Sequence, residues 1–101
     1  MTTVALLASQ QPTEALALGA DWARAGDEVT VVLLDGATTL LREGHAAAEL
    51  LADAQDAGVT VWAHDIATTE RGITSHGKVT LVDLERVAAL ITEDAAKVQW
   101  W

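Results

Sequence analysis

The chain has 101 residues, half of them hydrophobic and 21% charged, the size and balance of one folded domain rather than of a disordered acidic tail. Six basic residues stand against 15 acidic ones for a formal charge of -9, a field that repels nucleic-acid phosphates and anionic membrane surfaces. No cysteine is present, which excludes disulfides, iron–sulfur clusters, thiolate metal sites and persulfide chemistry on the chain's own residues.

No Arg/Lys-led apolar segment opens the sequence and no apolar run has the length of a membrane span, so a cytoplasmic location is expected, with no membrane partner and no direct nucleic-acid partner. The acidity itself fits a salty cytoplasm and simple solubility equally well.

In chain order, Val4 to Ala8 is the first β-type run, followed by a loop with the single proline, Pro12. Thr13 is positioned to cap a helix reaching Ala25, with Ala15, Leu18, Gly19 and Trp22 on one stripe and Gly26 closing it. Val29 to Leu34 is apolar on both alternating faces, as in a strand covered by helices on each side of a parallel sheet. Ala37 to Glu43 reads as a short helical turn, interrupted by Gly44. Ala47, Leu50, Leu51 and Ala54 then mark a helix that Gly58 ends. Val59 to Ala63 is the third strand, Asp65 to Arg71 a short helical segment, and Val79 to Val82 the fourth strand. Asp83 can cap a last helix with Leu84, Val87, Ala88 and Ile91 on its core face. Lys97 to Trp101 is a fifth, weaker β-type run. Strands alternating with helices in this way predict an α/β fold, a three-layer α/β/α sandwich with a five-stranded parallel sheet. Without a linker or repeat, residues 1–101 read as a single domain.

Ligands of open parallel sheets bind beyond the carboxyl ends of the strands. Three segments fall there: Ser9 to Thr13, Asp35 to Thr38, and His64-Asp65 running to Arg71-Gly72. The ligand-binding candidates are therefore His64, Asp65, Arg71, Asp35 and Gly36. His64 beside Asp65 is either an acid/base or ligand-binding group or a histidine capping the strand end against backbone. Arg71 is either a planar fork for an anion or a cation at a helix C-terminus, with Gly72 supplying the left-handed turn. Asp35-Gly36 either presents a carboxylate to a ligand or forms a turn in which Asp bonds its own backbone.

Ser9 and the Ser75-His76 pair lack the glycine elbow of a hydrolase nucleophile. His45, His64 and His76 have no metal-ligand spacing, and Gly19, Gly26 and Gly36 form no phosphate loop. No catalytic residue, metal or cofactor is assigned.

The run Gly26-Asp27-Glu28-Val29 into Leu33-Leu34-Asp35-Gly36, then Val61-Trp62-Ala63 followed by Glu70-Arg71-Gly72-Ile73, Val82-Asp83-Leu84, and the closing Lys97-Val98-Gln99-Trp100-Trp101 resemble the DsrE/DsrH-like sulfur-relay family, and within it the DsrH/TusB branch. The likeness runs from Gly26 onward in order and spacing. It implies a DsrEFH-like five-stranded parallel sheet between helical layers and assembly into trimers, hexamers or heterohexamers. It also implies a sulfur-accepting cysteine just after the third strand, about eight residues before the Arg-Gly glycine; counting back from Gly72 reaches His64. The resemblance therefore implies a non-catalytic, TusB-like subunit of a cytoplasmic sulfur relay, of the tRNA 2-thiolation or sulfur-oxidation type. Its partners would be its own copies or cysteine-bearing DsrE/DsrF- or TusC/TusD-like subunits. The alternative from the residues alone is a small-molecule or anion-binding homo-oligomeric module built on His64 and Arg71.

Trp100 and Trp101 are the interface candidates. Adjacent residues of a strand point to opposite faces, so one ring is expected in a helix layer and the other toward a neighbouring subunit or solvent.

Overall fold

A computed structural model describes residues 2–74 and 77–101. Its elements are β1 (Thr3–Ala8), α1 (Pro12–Arg24), β2 (Glu28–Leu33), a 3₁₀ turn (Asp35–Leu41), α2 (Ala48–Asp56), β3 (Thr60–His64), α3 (Asp65–Glu70), β4 (Thr80–Val82), α4 (Leu84–Ala89) running into a π-helical turn (Leu90–Asp94), and β5 (Lys97–Trp100). The five strands form one sheet in the order β4-β3-β2-β1-β5, every pair parallel. β2 is the central strand, which is why Val29 to Leu33, Thr30 included, are buried on both faces.

The strand period of two sorts the core into two clusters. Val4, Leu6, Val31 and Val61 face α1, α2 and the 3₁₀ turn, while Ala5, Leu7, Val32 and Val82 face Val87 and Leu90 of the α4 layer. The α/β/α sandwich with five parallel strands expected from the sequence is the fold that forms.

α1 begins two residues earlier than its capping pattern suggests. Pro12 occupies the first turn, Gln11 is the N-cap, and no side chain caps the helix; proline's fixed φ and missing N–H suit this position, so Thr13 lies inside. Gly26, at φ 105°, takes the left-handed turn that follows. The buried stripe is Ala15, Leu16, Gly19 and Ala20 rather than one through Leu18 and Trp22. The cause is close approach: a Cβ built on Gly19 would sit 3.3 Å from Leu6 Cδ1, Val29 Cγ1 and Val31 Cγ2. Small residues let the backbone reach the sheet there, and Trp22 spreads over the flank with Lys97 Nζ 5.8 Å from its ring centroid.

Asp83 caps α4 as expected, accepting from the Arg86 backbone N–H at 2.8 Å. Leu84 is 58% exposed and Ala88 is exposed as well; Val87 and Leu90 reach the core, and Ile91 packs against them partly buried. Only Asp83 separates β4 from α4, so the first turn of the helix lies beyond the strand ends with no sheet beneath it. The Asp83→Ala protein is expected to lose about 1 kcal/mol of stability, read as a lower denaturant midpoint with an unchanged slope, because the cap leaves with its acceptor.

The two C-terminal tryptophans divide as the strand geometry requires. Trp101 packs against the larger cluster, whereas Trp100 is 64% exposed. Trp101 is held by backbone: its N–H donates to the Leu7 carbonyl at 2.7 Å and its carbonyl accepts from Ser9 N–H at 2.8 Å.

Candidate functional site

Because β1, β2 and β3 are neighbours and parallel, their carboxyl ends bring Ser9, Asp35 and His64 to one edge of the sheet. Leu34 N–H donates to the Ala8 carbonyl at 2.8 Å, closing the first two connections together. Asp35 is the non-glycine residue with positive φ among the described residues, at 46°, a left-handed conformation that aspartate tolerates better than most side chains. Thr38 Oγ1 donates to the Asp35 carbonyl at 2.8 Å, so the turn is fastened by threonine and not by the aspartate side chain. Gly36 lies against Ser9, with a Cβ at its position reaching 3.6 Å from the Ser9 carbonyl oxygen. The exposed Asp35 carboxylate is left facing solvent beside this packed turn.

A crevice of the sheet lies between β3 and β4. From β3 the chain passes through α3 toward the 3₁₀ turn, on the side of α1 and α2; from β4 it passes into α4, on the opposite face. The strand order itself reverses between β1 and β5, while the diverging connections of β3 and β4 leave a second crevice at the carboxyl edge, the edge at which open α/β sheets bind ligands. His64 and Val82 are register partners at its mouth.

His64 is the last residue of β3 rather than the first beyond it, and its side chain is 15% exposed. Nε2 lies 3.7 Å from Asp65 Oδ1, an ion pair only when the imidazole is protonated. The same Oδ1 accepts from the Ile66 backbone N–H at 2.6 Å, and the Thr68 hydroxyl is occupied in donating to the His64 carbonyl at 2.8 Å. The imidazole can donate a hydrogen bond to an anion, and the Thr68 hydroxyl is committed to backbone. Ile66 and Leu84, each 58% exposed, stand at the heads of the two diverging helices.

Arg71 and His64 are not brought together. Arg71 Nη1 turns back along α3 to the Ala67 carbonyl at 3.1 Å, the position of a cation at a helix C-terminus, and Gly72 follows at φ 69°. The Arg71 carbonyl in turn accepts from Arg42 Nη2 at 2.8 Å, joining segments 29 residues apart. Arg42 carries no local motif in the sequence. Its signal is the scarcity of cations in so acidic a chain.

A second feature not legible locally is Arg86, whose guanidinium carbon lies 4.8 Å from the Trp62 ring centroid and whose Nη1 is 3.7 Å from Asp94 Oδ2. It ties α4 to β3 below the crevice. Ser75 and His76 lie outside the described residues, and among the described residues no three His, Asp or Glu side chains converge as a metal set. No helix among those residues is long and apolar enough to cross a membrane.

No family model matches the chain, and no curated protein matches it in sequence. Solved structures do match in fold. A protein of unknown function from Methanobacterium thermoautotrophicum superposes with a TM-score of 0.78 at 14% identity, covering 98% of this chain and 99% of its own. A conserved protein of unknown function from Bacteroides thetaiotaomicron gives 0.81 at 9% identity over 97% and 94%. At such identities the shared property is the fold.

Proposed function

We propose that this chain is a non-catalytic DsrE/DsrH-like, TusB-like subunit that supports a cytoplasmic sulfur-relay complex, assembling with its own copies or with cysteine-bearing DsrE/DsrF- or TusC/TusD-like subunits. The observation that carries this reading is His64. It is the last residue of β3, at the mouth of the crevice, and it occupies the position at which the sequence resemblance implies a sulfur-accepting cysteine. The five-stranded parallel sheet agrees with the fold that the same resemblance implies. A subunit that keeps the crevice but not the thiol contributes surface and geometry to a relay while another chain carries the sulfur.

Assembly is the testable half of this reading. Trp100, 64% exposed on an edge strand, offers a large aromatic surface of the kind that anchors interfaces. By light scattering at micromolar concentration the protein is expected to exceed its 10.6 kDa chain mass. The Trp100→Ser protein should dissociate at concentrations about 30-fold higher, the equivalent of a ~2 kcal/mol anchor. Trp101 is left in place because its backbone and ring hold β5 to the core. A monomeric natural protein, or an oligomer indifferent to Trp100→Ser, would count against the role given to this surface.

A further inference from the structure

β5 is an edge strand of the five-stranded sheet, paired with β1 on one side and with no strand on the other among the described residues. Trp101 turns its backbone inward, donating to the Leu7 carbonyl at 2.7 Å and accepting from Ser9 N–H at 2.8 Å. Backbone groups alternate in direction along a strand, so Gln99 and Lys97 also face β1, and the N–H and carbonyl groups of Val98 and Trp100 point out of the sheet. Such an edge is a template for another strand unless a proline, a bulge or a covering segment blunts it. Residues 97–101 contain no proline, and β5 follows β1 in unbroken register.

The same edge gathers the aromatic surface. Trp100 is 64% exposed on the α4 side, the side of Val98, while Trp22 and Trp101 are partly buried on the α1 side. Three of the four tryptophans of the chain therefore stand along one strand, a concentration typical of interface anchors. From Ala95 onward the sequence has no acidic residue, although the chain has 15, so two copies can bring these strands together without opposing carboxylates on them.

We infer that the partner of this edge is a second copy of the chain, β5 against β5 antiparallel about a two-fold axis at Gln99, which joins two sheets into one. The outward groups set the register. Placing Val98 of each copy opposite Trp100 of the other satisfies every outward N–H and carbonyl of both residues. A slip of one residue opposes outward groups to inward ones, and a slip of two toward Ala96 meets an N–H already given to the Thr3 carbonyl at 2.8 Å. The side chains agree with that register. On the α4 side each Val98 lies beside a Trp100, the β-branched and aromatic pairing that stabilises sheets. On the α1 side each Lys97, its ammonium already 5.8 Å from the Trp22 ring centroid, comes opposite the indole of a Trp101. An unrelated extended peptide meets the backbone groups but not both sets of side chains. The inference rests on the assembly of copies proposed above, to which it adds the surface and the symmetry; it needs no sulfur chemistry.

The test is disulfide trapping, clean here because the chain has no cysteine of its own. At the axis the two Gln99 residues form a non-hydrogen-bonded pair with Cα atoms about 4.5 Å apart, within reach of a disulfide. The two Lys97 residues are offset by roughly 13 Å along the strands, too far to be bridged. Oxidised at micromolar concentration, Gln99→Cys is expected to run mostly as a covalent dimer of twice the 10.6 kDa chain mass. Lys97→Cys, and Thr80→Cys on β4 at the opposite edge, should crosslink at least about tenfold more slowly. In the natural sequence, amide exchange at Val98 and Trp100 should slow as concentration rises, while Gln99 and Trp101, bonded to β1, stay protected throughout. Equal crosslinking at all three positions overturns the inference, as do freely exchanging Val98 and Trp100 amides in the assembled protein. A natural protein heavier than one chain whose Gln99→Cys form stays uncrosslinked overturns the edge pairing and leaves the assembly reading standing, whereas a monomer at every concentration sinks both.

Discussion

The His64→Cys protein is expected to retain labelled sulfur through non-reducing denaturation after exposure to a persulfide donor, whereas the natural chain retains none. The natural chain has no thiol to attack with. Transfer requires a thiolate that displaces the donor's own thiolate from the terminal sulfur, forming a new persulfide on the acceptor. Position 64 offers a partly accessible side chain at the mouth of the crevice, 15% exposed as histidine. Its neighbour works against it: a carboxylate at Asp65 disfavours an adjacent thiolate, so transfer to the single variant should be slow. Replacing Asp65 by asparagine in the same background should accelerate it by removing that repulsion. The reading loses its support at this position if the new cysteine alkylates readily with iodoacetamide and still takes no sulfur from the donor.

Leu6→Ala should cost about 3–5 kcal/mol, the upper part of the range for a fully buried leucine. Leu6 is 0% exposed on β1, which has strands on both sides, and it faces the point at which α1 comes closest to the sheet. Against a typical total of about 5–15 kcal/mol, that loss takes much of the stability of a small domain. Urea unfolding measures it. Gly19→Ala in the same background should recover part of the loss, because the added methyl points at the vacated Leu6 Cδ1 position and alanine suits a helix better than glycine. A Leu6→Ala cost below about 1.5 kcal/mol, or additive behaviour of the two changes, would mean that α1 relaxes onto the sheet and the contact is not tight.

How legible this protein is depends on whether the deciding force is local. β2 declared itself through Val29 to Leu34 because burial on both faces leaves apolar residues on both, with Thr30 the one exception. The Asp83 cap and the left-handed glycines at 26, 58 and 72 are local chemistry and were equally readable. The rotation of α1 was not, because the stripe through Leu18 and Trp22 is as good a helical period as the buried one. The choice between them was made by Leu6, Val29 and Val31 on the sheet. At the candidate site, the carboxyl-end rule brought Ser9, Asp35 and His64 to one edge, but their strand neighbours decide which pair flanks the crevice. The same limit hid Arg42, whose meaning depends on residues 29 positions away.

The position of β5 has a consequence for the order in which the molecule can be completed. β1 lies between β2 and β5, and its outer edge is covered only by residues at the opposite end of the sequence; the Ser9 to Trp101 hydrogen bond spans 92 residues. A nascent chain on the ribosome can zip β1, β2, β3 and β4 together in the order they emerge, but the last strand must return past all four to reach the first. Until it does, Val4 to Ala8, a five-residue apolar run in the most buried part of the finished sheet, presents an unpaired edge to any other chain nearby. Long-range parallel pairing of this kind is slow and exposes intermediates to aggregation. The charge of -9, which keeps such half-made chains apart, is then as much a property of the folding route as of the folded protein.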